Sequence, residues 1–467
     1  MYRTRQIRIR IRKKNPLRDY CAALCLGSAA LYNRANFLIR QYATACRDLE
    51  EGKPLTGNQS EAFRMITEVT RGTRYEPKGR WLGYGQLDYI LKRTEDPAYR
   101  ALPAQANQQI LKGLLRNYKS FFAALKAYGL HPERFTGRPR MPGYKKKGTE
   151  STAILTNQIC RIRGERHIRF PGTKEMLDMG PAPEGGRLKE VRIRPCHDSY
   201  TVEAVLEYPD SILKKGKLSG MDEAAIRNAL EGSGEGDFRI AAIDPGVRNF
   251  CAVANNFGAR PFLIRGGAIK SANQYYNKEL ARLKSEAEKC NRKHITKRIR
   301  HLTDRRSRIL KDLMHKASRK IAEWAEEQGV DLVVLGHNVF QKQEISLGHV
   351  NNQVLVQIPY CVFADMLRYK LEEKGIAFLS IEESYTSKAD FLAGDEIPVY
   401  GKREGEAKKE IPVFSGKRIS RSWYRHFDGT KSNADINGAA NILRKVIPNR
   451  KEWDRGVVDT PYAVRIA

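Results

Sequence analysis

The sequence predicts a mixed fold in which β-rich, helical and α/β parts follow one another along the chain. Residues 5–12 alternate arginine with isoleucine, the period of a half-buried strand. Residues 16–128 carry apolar side chains at helical spacing in several segments. From Phe238 onward, apolar runs of strand length alternate with long amphipathic segments, which is typical of an α/β domain.

The N-terminal strand predicts one apolar face and one cationic face. Its isoleucines would face a core, whereas Arg8, Arg10 and Arg12 would face outward. Strand signals return between Ala153 and Asp210, so we expect a small antiparallel barrel or sheet that the N-terminal strand completes. The first 14 residues hold seven cations and no acid, which favours a nucleic-acid-binding face over a solvated edge strand.

The overall charge indicates a polyanionic partner. Among 467 residues, 84 Lys and Arg stand against 53 Asp and Glu, a formal net charge of +31. Phosphate backbones are the commonest partners of such an excess. The eight cysteines form no CxxC pair, which argues against a disulfide framework and a cysteine-ligated zinc site. We expect a reduced, cytoplasmic protein that uses no membrane.

A second cationic segment lies in a long helical stretch predicted from about Ala272 to Glu327. Between Arg292 and Lys311 it carries nine Lys or Arg and a single acid, Asp304. A solvated helix face is the simpler alternative, but such a face usually interleaves both signs of charge. The candidate phosphate-binding residues here are Arg292, Lys293, Lys297, Arg298, Arg300 and Arg305.

Two acidic positions follow buried strands in the C-terminal part. Asp244 ends the first strand of a predicted three-stranded meander, although Asp-Pro-Gly is also turn chemistry. Glu382 and Glu383 follow the apolar strand Ile376–Ile381. Burying an ionised acid at the end of such a strand costs free energy unless a positive charge lies nearby.

A third acid opens the last predicted helix, residues 433–445. Asp435, Asn437 and Asn441 cluster near its start, and Gly438 keeps that face small. The two asparagines are candidates for supporting the site, although helix capping or packing explains them equally well. An Asp, Glu, Asp set in this order is able to hold two divalent metals around a phosphodiester. Hard oxygen ligands suit Mg²⁺, with Mn²⁺ as a substitute.

Several segments together resemble one known family. They are AAIDPGVRNFCAV, GHNVFQKQEISLGHVNNQVLVQIPY, ESYTSKADFLAGDEIPVY, DINGAANI, LYNRAN, LPAQANQQIL and GRPRMPGYK. With these the chain resembles the TnpB family of transposon-encoded RNA-guided nucleases, relatives of the compact type V CRISPR effectors. The resemblance implies an N-terminal wedge-type β-barrel with an inserted helical recognition domain and a C-terminal RNase H-like (RuvC) nuclease domain.

The resemblance also implies partners and boundaries. A guide RNA and a double-stranded DNA target beside a short flanking motif are expected, in a prokaryotic protein that is nucleoid-associated when bound to DNA. The implied catalytic and metal-binding residues are Asp244, Glu383 and Asp435. The expected domains are residues 1–14 and 149–231 for the barrel, 15–148 for the helical insert, 238–387 and 431–447 for the nuclease, 388–430 for a target-nucleic-acid-binding insert and 448–467 for a tail.

This sequence departs from the family pattern in two ways. Many members carry the middle glutamate just after the fourth strand, where this chain has Gly336. Glu383 on the next strand is the expected replacement, with Glu382 as the fallback because neighbouring strand residues face opposite ways. The second departure is the absence of CxxC pairs after the ESYTSK segment, so no zinc is expected in the 388–430 insert.

Three alternative functions remain at the level of sequence. The first is a nuclease-inactive, RNA-guided DNA-binding repressor, which the missing acid at Gly336 would favour and the presence of Glu383 disfavours. The second is a compact type V CRISPR effector with the same chemistry. The third is a transposase that joins DNA, which ranks low because the last acid is Asp435 and not a glutamate on a late helix.

Overall fold

The computed structural model of the chain describes residues 2–10, 15–181, 185–196, 199–209, 213–232, 234, 236–290, 295–337, 357–398, 412–447, 453 and 455–466. The chain separates into two compact units, Met1–Asp210 and Ser211–Ala467. Among the residues described, no helix is both long and apolar enough to cross a membrane.

The first unit combines a helical block with strands. Its helices are α1 (Leu17–Glu50), α2 (Gly57–Thr70), α3 (Tyr84–Arg93), α4 (Pro97–Arg100) and α5 (Ala104–Leu130). Its strands are β1 (Tyr2–Arg10), β2 (Ala153–Thr156), β3 (Arg161–Arg163), β4 (His167–Arg169), β5 (Met176–Asp178), β6 (Arg187–Cys196) and β7 (Ser199–Glu207). The apolar stripes of α1 and α5 share one core with the inner faces of β6 and β7.

The strands of this unit form two open sheets. The larger is antiparallel with the order β1-β7-β6-β2, and β3, β4 and β5 form the smaller. The N-terminal strand therefore joins the later strands, as the sequence suggests. The predicted closed barrel is wrong for the described residues, because β1 and β2 lie at opposite edges and do not pair. Instead, α1 and α5 pack against β6 and β2.

The second unit is built around a six-stranded sheet. Its strands are β8 (Ile240–Pro245), β9 (Asn249–Asn255), β10 (Phe262–Arg265), β11 (Leu332–Gly336), β12 (Ala377–Ile381) and β16 (Tyr462–Val464), in the order β12-β11-β8-β9-β10-β16. Strands β8, β11 and β12 run parallel, and β9 is antiparallel to both of its neighbours. Three short strands, β13 (Lys417–Arg418), β14 (Trp423–Arg425) and β15 (Lys431–Asn433), form a separate antiparallel sheet.

Helices cover both faces of the six-stranded sheet. They are α6 (Glu223–Glu231), α7 (Gly267–Lys289), α8 (Lys297–Glu327), α9 (Tyr360–Glu373) and α10 (Ala434–Val446). Alternate residues of β8 divide between the two cores: Ala241 and Ile243 pack with α8 and α9, whereas Ile240 and Ala242 pack with α6 and α10. This two-sided burial explains why the strands read as continuous apolar runs.

Two expectations differ from the structure in this unit. The long helical stretch predicted from Ala272 to Glu327 consists of two helices, because α7 ends at Lys289 and Thr296 caps a new start by accepting a hydrogen bond from Ile299 N. The predicted barrel segment, residues 149–231, includes α6, yet Ile226 and Leu230 of α6 pack into the core beneath the six-stranded sheet. The other predicted domain boundaries stay predictions.

Candidate functional site

Asp244 lies at the end of the central strand of the large sheet and faces α10. Side chains alternate along β8, and Ile240 and Ala242 face α10, so Asp244 extends from the same face. Gly438 of α10 lies against it, because a Cβ on Gly438 would be 2.7 Å from Asp244 Oδ2. A glycine in the helix therefore makes the space that the carboxylate occupies.

Asp435 reaches the same end of the sheet from the first turn of α10. Asn433 caps this helix, since its side chain accepts hydrogen bonds from the backbone N–H groups of Asp435 and Ile436. Asn249 Nδ2 donates to Asp435 Oδ2 over 2.7 Å, and Arg418 Nη2 donates to Asp435 Oδ1 over 3.0 Å. Both carboxylate oxygens are thus held by named donors.

Glu383 follows the outer parallel strand and occupies space beside Gly336. The register pairs Gly336 of β11 with Ile381 of β12, so Glu383 comes two residues after that pair. A Cβ on Gly336 would lie 3.0 Å from Glu383 Oε2. Ala377, Leu379 and Ile381 pack with α10, and Glu383 continues their alternation.

Glu382 has a different environment. Its Oε2 accepts a hydrogen bond from Lys445 Nζ over 2.7 Å, and its Oε1 accepts one from the backbone N–H of Ser384. Lys445 is largely buried and also donates to the carbonyl oxygen of Ser384. Glu382 is therefore engaged in an ion pair that ties the end of β12 to α10.

The electrostatic environment of Asp244 includes the other two acids. Burial is the largest cause that raises the pKa of Asp244 well above its ordinary value, and the charges of Glu383 and Asp435 raise it further. The Arg418 guanidinium opposes this rise. Burial together with nearby negative groups, Asp244 and Glu383 among them, also raises the pKa of Tyr360, whose hydroxyl donates to Gly246 O.

Hard oxygen donors of this kind suit a divalent cation of the Mg²⁺ type. Across the described ranges, no three His, Cys, Asp or Glu side chains stand close enough to hold one ion jointly. The donors nevertheless fit such an ion in kind, because a buried carboxylate whose pKa is raised by burial and by neighbouring acids, as that of Asp244 is, gains from added positive charge. In this structure the positive charge beside Asp435 comes from the Arg418 guanidinium, with which it forms an ion pair.

Asn437 and Asn441, the two supporting candidates, have structural contacts. Asn437 Nδ2 donates to Ala389 O, and Asn441 Nδ2 donates to the carbonyl oxygens of Thr386 and Ala389. Both side chains are fully buried. They hold the segment after Glu383 against α10 and so fix where that segment leaves the sheet.

The 388–430 insert contains a buried hydrogen-bonded network where the sequence lacks CxxC pairs. His426 is bonded through Nδ1 to Asp390 Oδ1 at 2.6 Å and through Nε2 to Ser432 Oγ at 2.8 Å. Phe427 N donates to Asp390 Oδ2, and all three side chains of the network are buried. Residues 399–411 of this insert lie outside the described part of the chain. The network joins the start of the insert to its small sheet.

The predicted nucleic-acid-binding cations lie on β1 and α8 where the structure describes them. Arg10 is exposed at the end of β1, whereas half-buried Arg8 donates through Nε to Ser199 Oγ over 2.7 Å. Arg12, Arg292 and Lys293 lie outside the described residues. The remaining four are exposed along the first half of α8: Lys297, Arg298, Arg300 and Arg305.

Sequence reasoning missed two residues that contact the candidate site. Asn249 lies on β9, and Arg265 Nη1 donates to its Oδ1 over 2.9 Å, which orients the amide toward Asp435. Arg418 comes from β13, a strand of two residues. No periodicity marks a strand that short, and the only sequence signal was the general excess of cations in residues 416–429.

Two family models match the C-terminal half of the chain. The OrfB_IS605 model, described as a probable transposase, matches residues 237–340. The model of the Cas12f1-like TNB domain matches residues 360–442. These two matches agree with the resemblance of the chain to the TnpB family. The first match spans Asp244, and the second spans both Glu383 and Asp435.

Solved structures similar to this chain include three compact effectors. A Cas12f1–sgRNA–target DNA complex is 15% identical, covering 92% of this chain and 82% of that one, with a TM-score of 0.46. The mini-RNA-guided endonuclease CRISPR-Cas_phi3 is 10% identical, with coverages of 99% and 94% and a TM-score of 0.43. CasPhi-2 (Cas12j) bound to crRNA and phosphorothioate-DNA is 10% identical, with coverages of 97% and 93% and a TM-score of 0.37. At these scores none of the three bears on the activity of this chain. No curated protein matches the sequence.

Proposed function

We propose that this protein is an RNA-guided DNA endonuclease of the TnpB type that hydrolyses phosphodiesters at one carboxylate site. The observation that supports the proposal is that the charges of Glu383 and Asp435 both act on the buried Asp244 carboxylate at one end of the large sheet. The sheet supports it, because an antiparallel meander followed by two parallel strands is the arrangement expected of an RNase H-like (RuvC) domain. The matches to the OrfB_IS605 and Cas12f1-like TNB models support the same interpretation.

Asp244, Glu383 and Asp435 are the residues that would hold divalent metal, with Mg²⁺ proposed and Mn²⁺ as a substitute. When bound, a pair of such ions activates water and stabilises the leaving oxygen of a phosphodiester. Asn249 would keep Asp435 oriented through its 2.7 Å hydrogen bond. Arg418 would exchange its carboxylate contact for a phosphate oxygen of the substrate, because a guanidinium binds either group.

The displaced middle acid has a physical account in this proposal. Gly336 occupies the position where many relatives place a glutamate, and the Glu383 carboxylate lies against its Cα. An acid that approaches the same volume from the adjacent strand serves the same role without changing the sheet. The pairing of Glu382 with Lys445 supports Glu383 over Glu382 as the third ligand.

The partners follow from the charge and from the family. We propose a guide RNA and a double-stranded DNA target beside a short flanking motif, with base pairing reading the target. The exposed cations of α8 would contact the phosphate backbone, as would Arg10 of β1. A compact type V CRISPR effector would share this chemistry.

The test begins with the protein expressed together with its native flanking DNA. Any co-purifying RNA is sequenced, and the complex is given matching DNA with Mg²⁺ or with EDTA. We expect a discrete RNA and cleavage that is lost in EDTA and in Glu383→Ala but retained in Glu382→Ala. A discrete RNA with tight binding and no cleavage would replace the proposal with the repressor function.

A further inference from the structure

A cleft between α7 and α8 combines an aromatic wall with cations. Its volume is about 280 Å³, and among the described residues it is lined by Ala272, Tyr275, Tyr276, Leu302, Arg305, Arg306 and Ile309. The lining residues are three or four positions apart on each helix, so one face of α7 forms one wall and one face of α8 forms the other. Pockets for drug-sized ligands start at roughly 300 Å³, and this cleft is therefore of a size for one planar ring system.

The floor of the cleft is held in place by several contacts. Arg306 donates to Asn273 Oδ1 over 2.7 Å and to Gln357 O over 2.9 Å. Its guanidinium lies 4.8 Å from the centre of the Tyr276 ring. The Tyr276 hydroxyl is in turn 3.3 Å from Thr303 Oγ1. The floor is thus an ordered surface that does not need to rearrange when a ligand enters.

The rim is apolar, aromatic and unusually exposed. Tyr275 is 53% exposed and Ile309 is 40% exposed. The Arg305 guanidinium lies 5.8 Å from the centre of the Tyr275 ring. Large side chains exposed together at the mouth of a concave site mark a binding surface more often than isolated ones do.

The charge around the rim selects the kind of ligand. Arg305 lines the rim, and Arg298, seven residues earlier on the same side of α8, is also exposed. Asp304 is the single acid between Lys297 and Lys311. A ligand that brings a flat ring together with a negative charge fits this combination, whereas an apolar protein side chain satisfies only the aromatic part.

We propose that the α7–α8 cleft takes one unpaired nucleobase of a single-stranded nucleic acid, stacked on Tyr275, with the adjoining phosphate on Arg305. The inference rests on the proposed function in one respect, that the partner is a nucleic acid. It adds a stacking contact for a single base outside the carboxylate site. A base whose ring lies on Tyr275 is sequence-tolerant, because every base presents a π-face.

The experiment uses the full chain and a short single-stranded oligouridylate that carries one 2-aminopurine. Stacking quenches 2-aminopurine fluorescence, and anisotropy gives the affinity. We expect Tyr275→Ala to weaken binding by about 5- to 150-fold and to abolish the quench. Tyr275→Phe should retain both. The matched control is Tyr369→Ala, which removes another exposed tyrosine of the same unit and should change neither.

Salt dependence separates stacking from charge. Arg305→Ala should reduce the slope of log K against log salt by about 0.7, the value for one phosphate contact on a single strand, whereas Tyr275→Ala should leave the slope unchanged. An abasic oligonucleotide that binds as tightly as its parent would overturn the proposal. The proposal would also be overturned if the Tyr275→Ala variant quenched 2-aminopurine fluorescence as strongly as the wild type. It would equally be overturned if the variant bound the oligonucleotide normally but no longer self-associated, because the cleft would then bind a second copy of the chain.

Parallel titrations with RNA and DNA of the same sequence identify the strand. A preference for RNA assigns the cleft to the guide and a preference for DNA assigns it to the target, and either result supports a nucleobase as the ligand. Because the quench is read without divalent metal and without cleavage, a protein that fails to cut DNA still gives a complete result here. The two proposals therefore fail separately.

Discussion

Gly336 and Glu383 share one small volume at the end of the large sheet. A Cβ added to Gly336 would lie 3.0 Å from Glu383 Oε2 and would collide with Ile442 Cδ1. Gly336 ends β11 and pairs with Ile381, the last residue of the neighbouring parallel strand, and Glu383 follows two residues later. The missing side chain at one position is therefore the space that the carboxylate uses at the other.

The first prediction separates the two glutamates by their effects. Glu383→Ala should lower the cleavage rate by a factor on the order of 10³ or more, since it removes a proposed metal ligand. Glu382→Ala should lower stability instead, because it leaves Lys445 without its carboxylate partner in a largely buried position. Single-turnover cleavage and urea unfolding of both variants measure this, and equal cleavage by Glu383→Ala and wild type would contradict the site.

The second prediction concerns the space at Gly336. Gly336→Ala should cost roughly 1–3 kcal/mol of unfolding free energy and displace Glu383, because the new methyl group meets Ile442 and the carboxylate. Adding Ile442→Val removes the Cδ1 atom and should recover part of the lost stability, although not the cleavage, since the contact with Glu383 Oε2 persists. Equal stability of Gly336→Ala and wild type would show that the volume is not shared.

The third prediction follows from the pKa of Asp244. This pKa is raised in the folded state, so the stability contributed by the protonated form is full below the unfolded value of about 3.9 and is lost as pH rises through the folded value. In EDTA, Asp244→Asn should be more stable than wild type at neutral pH by on the order of 1–2 kcal/mol.

Thermal unfolding across pH, with and without Mg²⁺, measures this difference. Mg²⁺ should raise the unfolding temperature of wild type and have little effect on Asp244→Asn, because binding to the folded state alone stabilises it. Two results would count against a metal-binding carboxylate cluster. One is a wild-type unfolding temperature that Mg²⁺ does not change, and the other is an Asp244→Asn variant that is less stable than wild type at every pH.

The fourth prediction tests Asn249 as a positioning residue. Asn249→Ala should lower cleavage by about 10–100-fold and raise the Mg²⁺ concentration needed for half-maximal rate, because Asp435 loses its orienting donor. Arg265→Lys should give a smaller change in the same direction. Asn255→Ala is the control, since that asparagine of the same strand bonds only a nearby turn. A change in stability without a change in metal dependence would make the role of Asn249 merely structural.

The fifth prediction concerns the Asp390–His426 pair in the insert. Burial raises the pKa of Asp390, but hydrogen bonds from His426 and from Phe427 N outweigh it, and the pKa ends below its ordinary value. Its contribution to stability is therefore present above the unfolded pKa of about 3.9 and is lost as pH falls through the folded value.

Asp390→Asn should cost about 1.5–3 kcal/mol at neutral pH and less in acid. Urea unfolding from neutral pH downward checks this, with Glu396→Gln, an exposed carboxylate of the same insert, as the matched control. A zinc chelator should leave the unfolding of wild type unchanged. Identical pH profiles for Asp390→Asn and wild type would show that the pair does not hold the insert together.

The sequence predicted the parts of the fold that depend on local pattern. The apolar runs of β8, β11 and β12 are visible because both faces of the sheet are buried. Asp244 was identifiable because it ends such a run. Strand alternation alone did not decide between Glu382 and Glu383, because the sequence does not say which face of β12 a helix will cover. The family resemblance favoured Glu383, with Glu382 as the fallback.

Other features depend on contacts between distant segments. The break between α7 and α8 rests on the cap at Thr296, a local signal hidden by continuous helical composition on both sides. The open sheet of the first unit depends on α1 and α5 covering one face, which strand patterns do not encode. Arg418 was missed because it lies on a strand of two residues that pairs with β14, and so short a strand has no sequence pattern.

The order of strands in the large sheet has a consequence for synthesis of the chain. Asp244 belongs to β8, yet its parallel partner β11 begins at Leu332, and the helix that carries Asp435 follows residue 433. Parallel pairings over such separations form late, because the chain loses loop-closure entropy before it gains the contacts between the strands. A ribosome-bound or proteolysed fragment lacking α10 therefore holds Asp244 and Glu383 without Asp435. If the proposed function holds, such a fragment would not cut nucleic acid, because the candidate site is complete only after the last helix has docked.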